Sequence, residues 1–194
     1  LGVALPGLVQ KETLRNYPPG MHGAGGQRRP KKMSDYGLRL RETQKLRFHY
    51  GLRERQLRHV IKDAIRSKMA SDQKLLQLLE SRLDNVLFRA GLACSNRAAR
   101  QIVSHNHVLV NGRRANIPSM RLKAGDVITV REKSPWHTNI NKEGAYPAHS
   151  MPIPDFVDVT AGPLKITFTK LPVIEQVPLD VDPIAVVERY SGRV

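Results

Sequence analysis

Arg97, Arg100, Gln101 and Ser104 recur at the spacing of one helix face, and Arg113-Arg114 leave a turn at Asn111-Gly112 a few residues later. A guanidinium is a planar fork of donors that matches phosphate oxygens in pairs, so cations arranged this way suit gripping a polyanion's backbone. Residue types for catalysis are scattered by comparison. The seven histidines, at 22, 49, 59, 105, 107, 137 and 149, show no metal-ligand spacing, and His105 and His107 read better as phosphate donors or helix-end caps. One cysteine, Cys94, leaves no internal disulfide and no cysteine-based zinc cluster; it is expected as a small buried or half-buried filler. Gly20, Gly23, Gly25 and Gly26 lack the Lys-Ser/Thr and the preceding strand of a phosphate-binding loop. No nucleophile elbow and no paired-carboxylate site can be assembled, so no enzyme activity, metal or cofactor is expected.

One motif competes with that reading. Arg82-Leu83-Asp84 resembles the Arg-Leu-Asp of RNA pseudouridine synthases, whose aspartate is catalytic, so the alternative is an RNA-modifying enzyme or a targeting factor with the same RNA-binding module. In those enzymes the motif lies well downstream of the module, in a large catalytic domain. Here it opens the module, and Asp84 has a capping task.

The elements that must position these residues follow from periodicity. Residues 81–132 read as an RNA-binding module of two short helices, a hairpin and a closing strand. Ser81 and Asp84 form a capping-box signature, Leu83, Val86, Leu87 and Ala90 make a buried face, Arg82, Asn85 and Arg89 fall opposite, and Gly91 ends the helix. Ser95 caps the second helix, with Ala98, Ala99, Ile102 and Val103 inward. Asn-Gly between extended segments signals a hairpin, because both residues tolerate φ > 0. Gly125-Asp126 turns into the strand Val127–Val130, whose residues are mostly β-branched.

Residues 34–80 read as helical. A helix capped by Ser34 runs to about Tyr50, with Gly51 as its stop and charges on several faces. A cleaner one from about Arg53 to Arg66 turns Leu57, Val60, Ile61 and Ala64 inward and Arg55, Arg58, His59, Lys62 and Arg66 outward. Leu75, Leu76, Leu78 and Leu79 then join the core. Residues 1–33 form a basic Pro/Gly-rich arm too poor in apolar residues to order alone. The chain opens on Leu1 rather than Met, so a further piece is expected ahead of it. Residues 133–154 read as a long loop anchored by Trp136. Residues 155–194 supply strands and a tail expected to pack on the N-terminal domain. The fold class is α+β: a mostly helical N-terminal domain completed by the C-terminal tail, with an inserted small α/β module of two helices and a short antiparallel sheet.

Charge selects the partner. The 194 residues hold 32 Lys+Arg against 17 Asp+Glu, a net +15. Residues 1–66 carry +10, residues 67–132 carry +6 and the remainder −1, so the excess sits on the arm, the helices and the module. Nucleic acid fits that balance. The basic helices lack the wide apolar face of an interfacial helix, and no apolar run reaches a membrane span, so no membrane partner is expected. Aromatics make up only 5%, so backbone and shape readout should outweigh base stacking.

Tyr17-Pro18-Pro19-Gly20-Met21-His22-Gly23, the stretch Ser34-Asp35-Tyr36-Gly37-Leu38-Arg39-Leu40-Arg41-Glu42-Thr43-Gln44-Lys45, and Leu78 to Val86 resemble bacterial-type ribosomal protein four of the small subunit. So do Ala98 to His105 and Val110 to Arg113, and the match covers nearly the whole chain. The resemblance implies a structural constituent of the small ribosomal subunit: a primary ribosomal-RNA binder that clamps a multi-helix junction in the 5′ domain and nucleates assembly of the body. It also implies contact with ribosomal protein five of the small subunit, a place near messenger RNA (mRNA) where it enters the subunit, and an influence on translational accuracy. The setting it implies is a ribosome in a bacterial cytoplasm, with an organelle also open. Some relatives bind zinc through N-terminal cysteines that this chain lacks, and Arg189 stands where the family's Glu-Tyr-Tyr-Ser ending has an aromatic. The candidate RNA-binding residues are Tyr17, His22, Arg28, Arg29, Lys31 and Lys32 in the arm, with Arg39, Arg41, Lys45, Arg47, Arg55, Arg58 and Lys62 in the helices. In the module they are Arg82, Arg97, Arg100, Gln101, His105, Asn111, Arg113, Arg114 and Arg121.

Overall fold

The computed structural model describes residues 3, 5–8, 17, 33–136, 151–160 and 165–192. His22, Arg28, Arg29, Lys31 and Lys32 of the arm, and residues 137–150 of the expected loop, lie outside them.

Three helices come first. α1 (Asp35–His49) starts where Ser34 Oγ accepts from the Gly37 amide at 3.3 Å, and the chain turns out of it through Gly51 at φ 59°. α2 (Glu54–Ile65) buries Leu57, Val60, Ile61 and Ala64, the stripe its periodicity predicts. α3 (Ser71–Glu80) buries Leu75, Leu76, Leu78 and Leu79 against it. Two residues later α4 (Leu83–Arg89) begins, followed by α5 (Asn96–Ser104), where Ser95 Oγ accepts from the Ala98 amide at 3.2 Å.

The start of α4 departs from expectation. Arg82, not Ser81, is its N-cap, and no side chain caps it. The first-turn amides of Leu83 and Asp84 instead donate to the carbonyls of Met120 (2.8 Å) and Pro118 (3.1 Å), so a loop from later in the chain satisfies them. That frees Asp84 for another role. Arg82, Asn85 and Arg89, expected outside, are all buried, because α3 and the C-terminal segment cover the face on which they lie.

The sheet is antiparallel. β1 (Val108–Val110) and β2 (Arg113–Ala115) join through Asn111 at φ 50° and Gly112 at φ 76°, the paired positive values of a tight hairpin turn. β3 (Val127–Val130) lies on the other side of β1, then β5 (Lys165–Phe168), with β4 (Val157–Thr160) at the edge. The two C-terminal strands therefore extend the module's sheet; they do not pack on the N-terminal domain as expected. Period-2 burial drives this: Ile166 and Phe168 point inward with Ile128 and Val130, and Phe156 meets Phe168 edge to face at 5.8 Å. Trp136 packs against the same core. Cys94, expected as filler, is exposed on the turn between α4 and α5.

After β5 the chain crosses back through a 3₁₀ turn (Ile174–Gln176) to α6 (Pro183–Ser191). Asp182 caps α6 by accepting from the Ile184 and Ala185 amides, and Pro183 takes the first turn, where an amide would have no partner. Leu179, Val186 and Tyr190 enter the helical core with α1 and α3. Two cores result: one of helices α1–α3 and α6, the other of α4, α5 and the sheet.

The N-terminal residues tie these cores together. Leu5 is buried among the helices, while Gly7 lies against Phe88 of the module, its φ of 76° outside the range a side chain favours. A Cβ at Gly7 would come within 2.5 Å of Phe88 Cζ. Gly7→Ala should therefore lower stability by about 1–3 kcal/mol through left-handed strain and overpacking, read as an earlier urea midpoint at unchanged slope; an unshifted midpoint would show that residues 5–8 do not hold this seat in solution.

Candidate nucleic-acid interface

Between the two cores runs a seam of buried polar groups. Glu80, the last residue of α3, has no exposed surface. Tyr50 Oη donates to its Oε1 at 2.5 Å and Asn85 Nδ2 to its Oε2 at 2.9 Å, while Arg89 Nε stands 3.5 Å from Oε2 as a charge contact. Burial raises the Glu80 carboxyl, against the opposing pull of Arg89 and the two hydrogen bonds. Burial first, and the Glu80 charge second, hold the Tyr50 hydroxyl well above its usual range. Arg89 Nη2 also donates to the Gln176 carbonyl at 2.6 Å, tying the returning C-terminal segment to the same charge.

Asp84 makes a second node one helical turn on. Arg82 grips it in fork geometry (Nε–Oδ1 3.0 Å, Nη2–Oδ2 2.7 Å), and Arg100 adds Nε and Nη2 contacts to Oδ2 at 3.2 and 2.9 Å. Arg100 Nη1 continues to the Gly51 carbonyl at 2.8 Å, and Asn96 Nδ2 donates to the His49 carbonyl at 3.0 Å. The start of α5 is thereby pinned to the turn between α1 and α2. Asp84 is 1% exposed with both oxygens engaged, so the pseudouridine-synthase-like triplet is a structural ion pair closed to substrate.

The seam sorts the candidate cations. Arg55 and Arg58 are exposed on α2 and Lys62 is half-buried; with Glu54 and His59 they line a groove of about 480 Å³. Arg97, Gln101 and His105 are exposed on α5 or its C-cap, and Arg113 and Arg114 on β2. Tyr17 is 44% exposed. Arg41 is half-buried, with Nη1 3.9 Å from Met33 Sδ.

Other candidates face protein groups. Arg82 is buried and Arg100 is committed to Asp84 and Gly51. Lys45 is buried against Glu42 (2.8 Å) and the Asp180 carbonyl (3.1 Å). Arg39 pairs with Glu188 at 2.9 Å, Arg47 with Glu54 at 3.3 Å and Arg121 with Asp63 at 2.5 Å. Asn111 shapes its turn, donating to Asp126 Oδ1 and accepting from the Val127 amide, both at 2.9 Å. His59 belongs with the exposed set although the candidate residues omit it; its place four residues after Arg55 and three before Lys62 is the signal. Among the described residues no group of His, Cys, Asp and Glu could hold a metal ion, and no helix is long and apolar enough to cross a membrane.

A family model described as the S4 domain matches residues 81–128, and one described as the ribosomal protein S4/S9 N-terminal domain matches residues 6–80. The two meet between Glu80 and Ser81, where α3 passes into the seam. The chain is 45% identical over 194 residues to the small ribosomal subunit protein uS4 of Methylobacillus flagellatus, covering 100% of this chain and 93% of that one. It is 44% identical over 191 residues to the uS4 of Geobacillus kaustophilus (98% and 92%) and 47% identical over 197 residues to the uS4B of Nitrosomonas europaea (100% and 93%).

Asp84→Asn should cost about 2–4 kcal/mol, since it leaves buried Arg82 without its counter-charge, and the loss should appear in denaturant melts without RNA; wild-type stability in that variant would contradict the structural role. His49 offers a second check. Burial first, and Arg89 second, lower its imidazole from the usual 6.5 to about 4. Between these values the unfolded chain binds a proton that the fold resists, so this contribution is complete above pH 6.5 and drains as pH falls toward 4. Relative to His49→Phe, the wild type should lose about 2 kcal/mol between pH 7 and 5, and parallel pH profiles for the two proteins would show that His49 titrates normally.

Proposed function

Because the chain belongs to the ribosomal protein S4 family of the bacterial-type small subunit, we propose that it binds small-subunit ribosomal RNA at a multi-helix junction of the 5′ domain and nucleates assembly of the body. The observation that carries this is the placement of exposed cations on three fastened elements: the α2 groove, the outer face of α5 and the arginine pair of β2. α2 packs in the helical core and β2 in the sheet core. The Glu80 and Asp84 nodes link those two cores and tie α5 to the Gly51 carbonyl, which holds the three elements in place before RNA arrives. Such an array reads where phosphates lie, which is to say the shape of the folded RNA. Contact with ribosomal protein five of the small subunit, a place beside mRNA where it enters the subunit, and a contribution to translational accuracy are parts of the same proposal, resting on family membership. The role is structural, and Asp84 is spent in the seam.

In a salt titration, a 5′-domain fragment of small-subunit ribosomal RNA should bind roughly 10³-fold or more tightly than an equally long unrelated structured RNA. Equal affinity and equal slope for both RNAs would reduce the charge to a nonspecific attractor. Arg114→Ala, at an exposed position, should keep wild-type stability and flatten the slope of log affinity against log salt by roughly 0.7–0.9; a slope that does not move would remove Arg114 from the interface.

A further inference from the structure

We propose that Phe48, at the end of α1, is a stacking platform for one unpaired base of the bound RNA, an inference that rests on the RNA-binding reading and adds a base contact to its phosphate contacts. A single exposed apolar side chain is ordinary on a protein surface. The setting of this one is not. The ring is 49% exposed, whereas its neighbours Leu46, His49 and Tyr50 are at most 1% exposed.

Phe48 continues the outer stripe of α1, where Gly37, Arg41, Gln44 and Phe48 recur at i, i+4, i+7 and i+11. The stripe combines a cation, an amide and a ring, and lacks a carboxylate. The acids of α1 lie elsewhere: Asp35 and Glu42 project about 120–140° around the helix from Phe48, and Glu42 is turned to Lys45 and to the Asp182 amide. The far end of the stripe meets two more elements. Asn96 and Arg100 bind the carbonyls of His49 and Gly51, which brings the start of α5 to this corner, with Arg97 exposed on α5 and Arg53 exposed ahead of α2.

An exposed ring at the corner where Arg53 and Arg97 are also exposed, and where Glu54 is already paired with Arg47, is complementary to a nucleotide, whose base offers a π-face and whose phosphate offers negative charge. Exposed Arg53 and Arg97 favour RNA over an apolar protein segment, which would cover them without offering negative charge. The base must be unpaired, because a paired base in a helix presents only its edges. The ring stands on the last turn of a helix fixed by buried His49 and Tyr50, so little flexibility is lost when a base settles on it.

The test compares full-length wild type, Phe48→Leu, Phe48→Trp and Arg114→Ala for binding to the 5′-domain ribosomal-RNA fragment across a salt titration, with denaturant melts on each. Phe48→Leu keeps an apolar side chain and removes the π-face. It should lower affinity about tenfold at every salt concentration and leave the salt slope unchanged, because no phosphate contact is lost. Phe48→Trp should restore wild-type affinity, and RNA should quench its emission beyond the change shown by Trp136 in the wild type. Wild-type affinity for Phe48→Leu, or a slope flattened as in Arg114→Ala, would overturn the platform; the first result is also the one expected of a protein-docking anchor. Wild type that does not distinguish the 5′-domain fragment from a control RNA would overturn the junction reading, while the ratio of Phe48→Leu to wild type still decides the platform.

Discussion

A carboxylate with no exposed surface must find every partner inside the protein, and Glu80 finds its partners on both sides of a domain boundary. Tyr50 comes from the helical domain, Asn85 and Arg89 from the module, and Arg89 passes the constraint on to the Gln176 carbonyl of the returning chain. Breaking such a cluster strands a buried charge, a penalty of several kcal/mol. The two cores therefore cannot reorient without opening the seam. Asp84 adds a second lock of the same kind, with Arg82 and Arg100 as its keys.

The consequence for recognition is preorganisation. α2, α5 and the hairpin would otherwise be three separate basic elements on a flexible hinge, each bringing its own entropy cost to an RNA complex. Packed on two cores that the buried nodes link, they would offer the proposed RNA site one preformed surface. Only part of the positive charge reaches that surface. Arg82, Arg89, Arg100 and Lys45 hold the protein together, and surface pairs such as Arg39–Glu188 and Arg121–Asp63 are worth little alone. Arg121–Asp63 does link the module's loop to α2.

Periodicity made the helical faces legible. The inward stripe of α2 and most of that of α5 stand as their 3.6-residue spacing requires, and Asn111-Gly112 forms its hairpin because few other dipeptides hold two positive φ values cheaply. The capping-box reading of Ser81 and Asp84 failed because cap signatures assume a helix start near solvent, whereas the 118–120 carbonyls here occupy the first-turn amides. The C-terminal strands were legible as strands but not in their partner: β5 pairs with β3 over a gap of some 35 residues, which local pattern does not encode.

What the sequence determined by itself was the class, an anionic partner and the face on which α2 carries its cations, since all of these follow from composition and short-range spacing. What only the tertiary structure decided was the use of each charge. Arg97 and Arg100 sit three residues apart on one helix and look equivalent as text, yet Arg97 faces solvent while Arg100 reaches Asp84 and the Gly51 carbonyl. The difference lies in what stands across from each side chain. A guanidinium opposite a buried carboxylate gains more from that pair than from water, and whether such a carboxylate is there depends on how α4 and the α1–α2 turn pack.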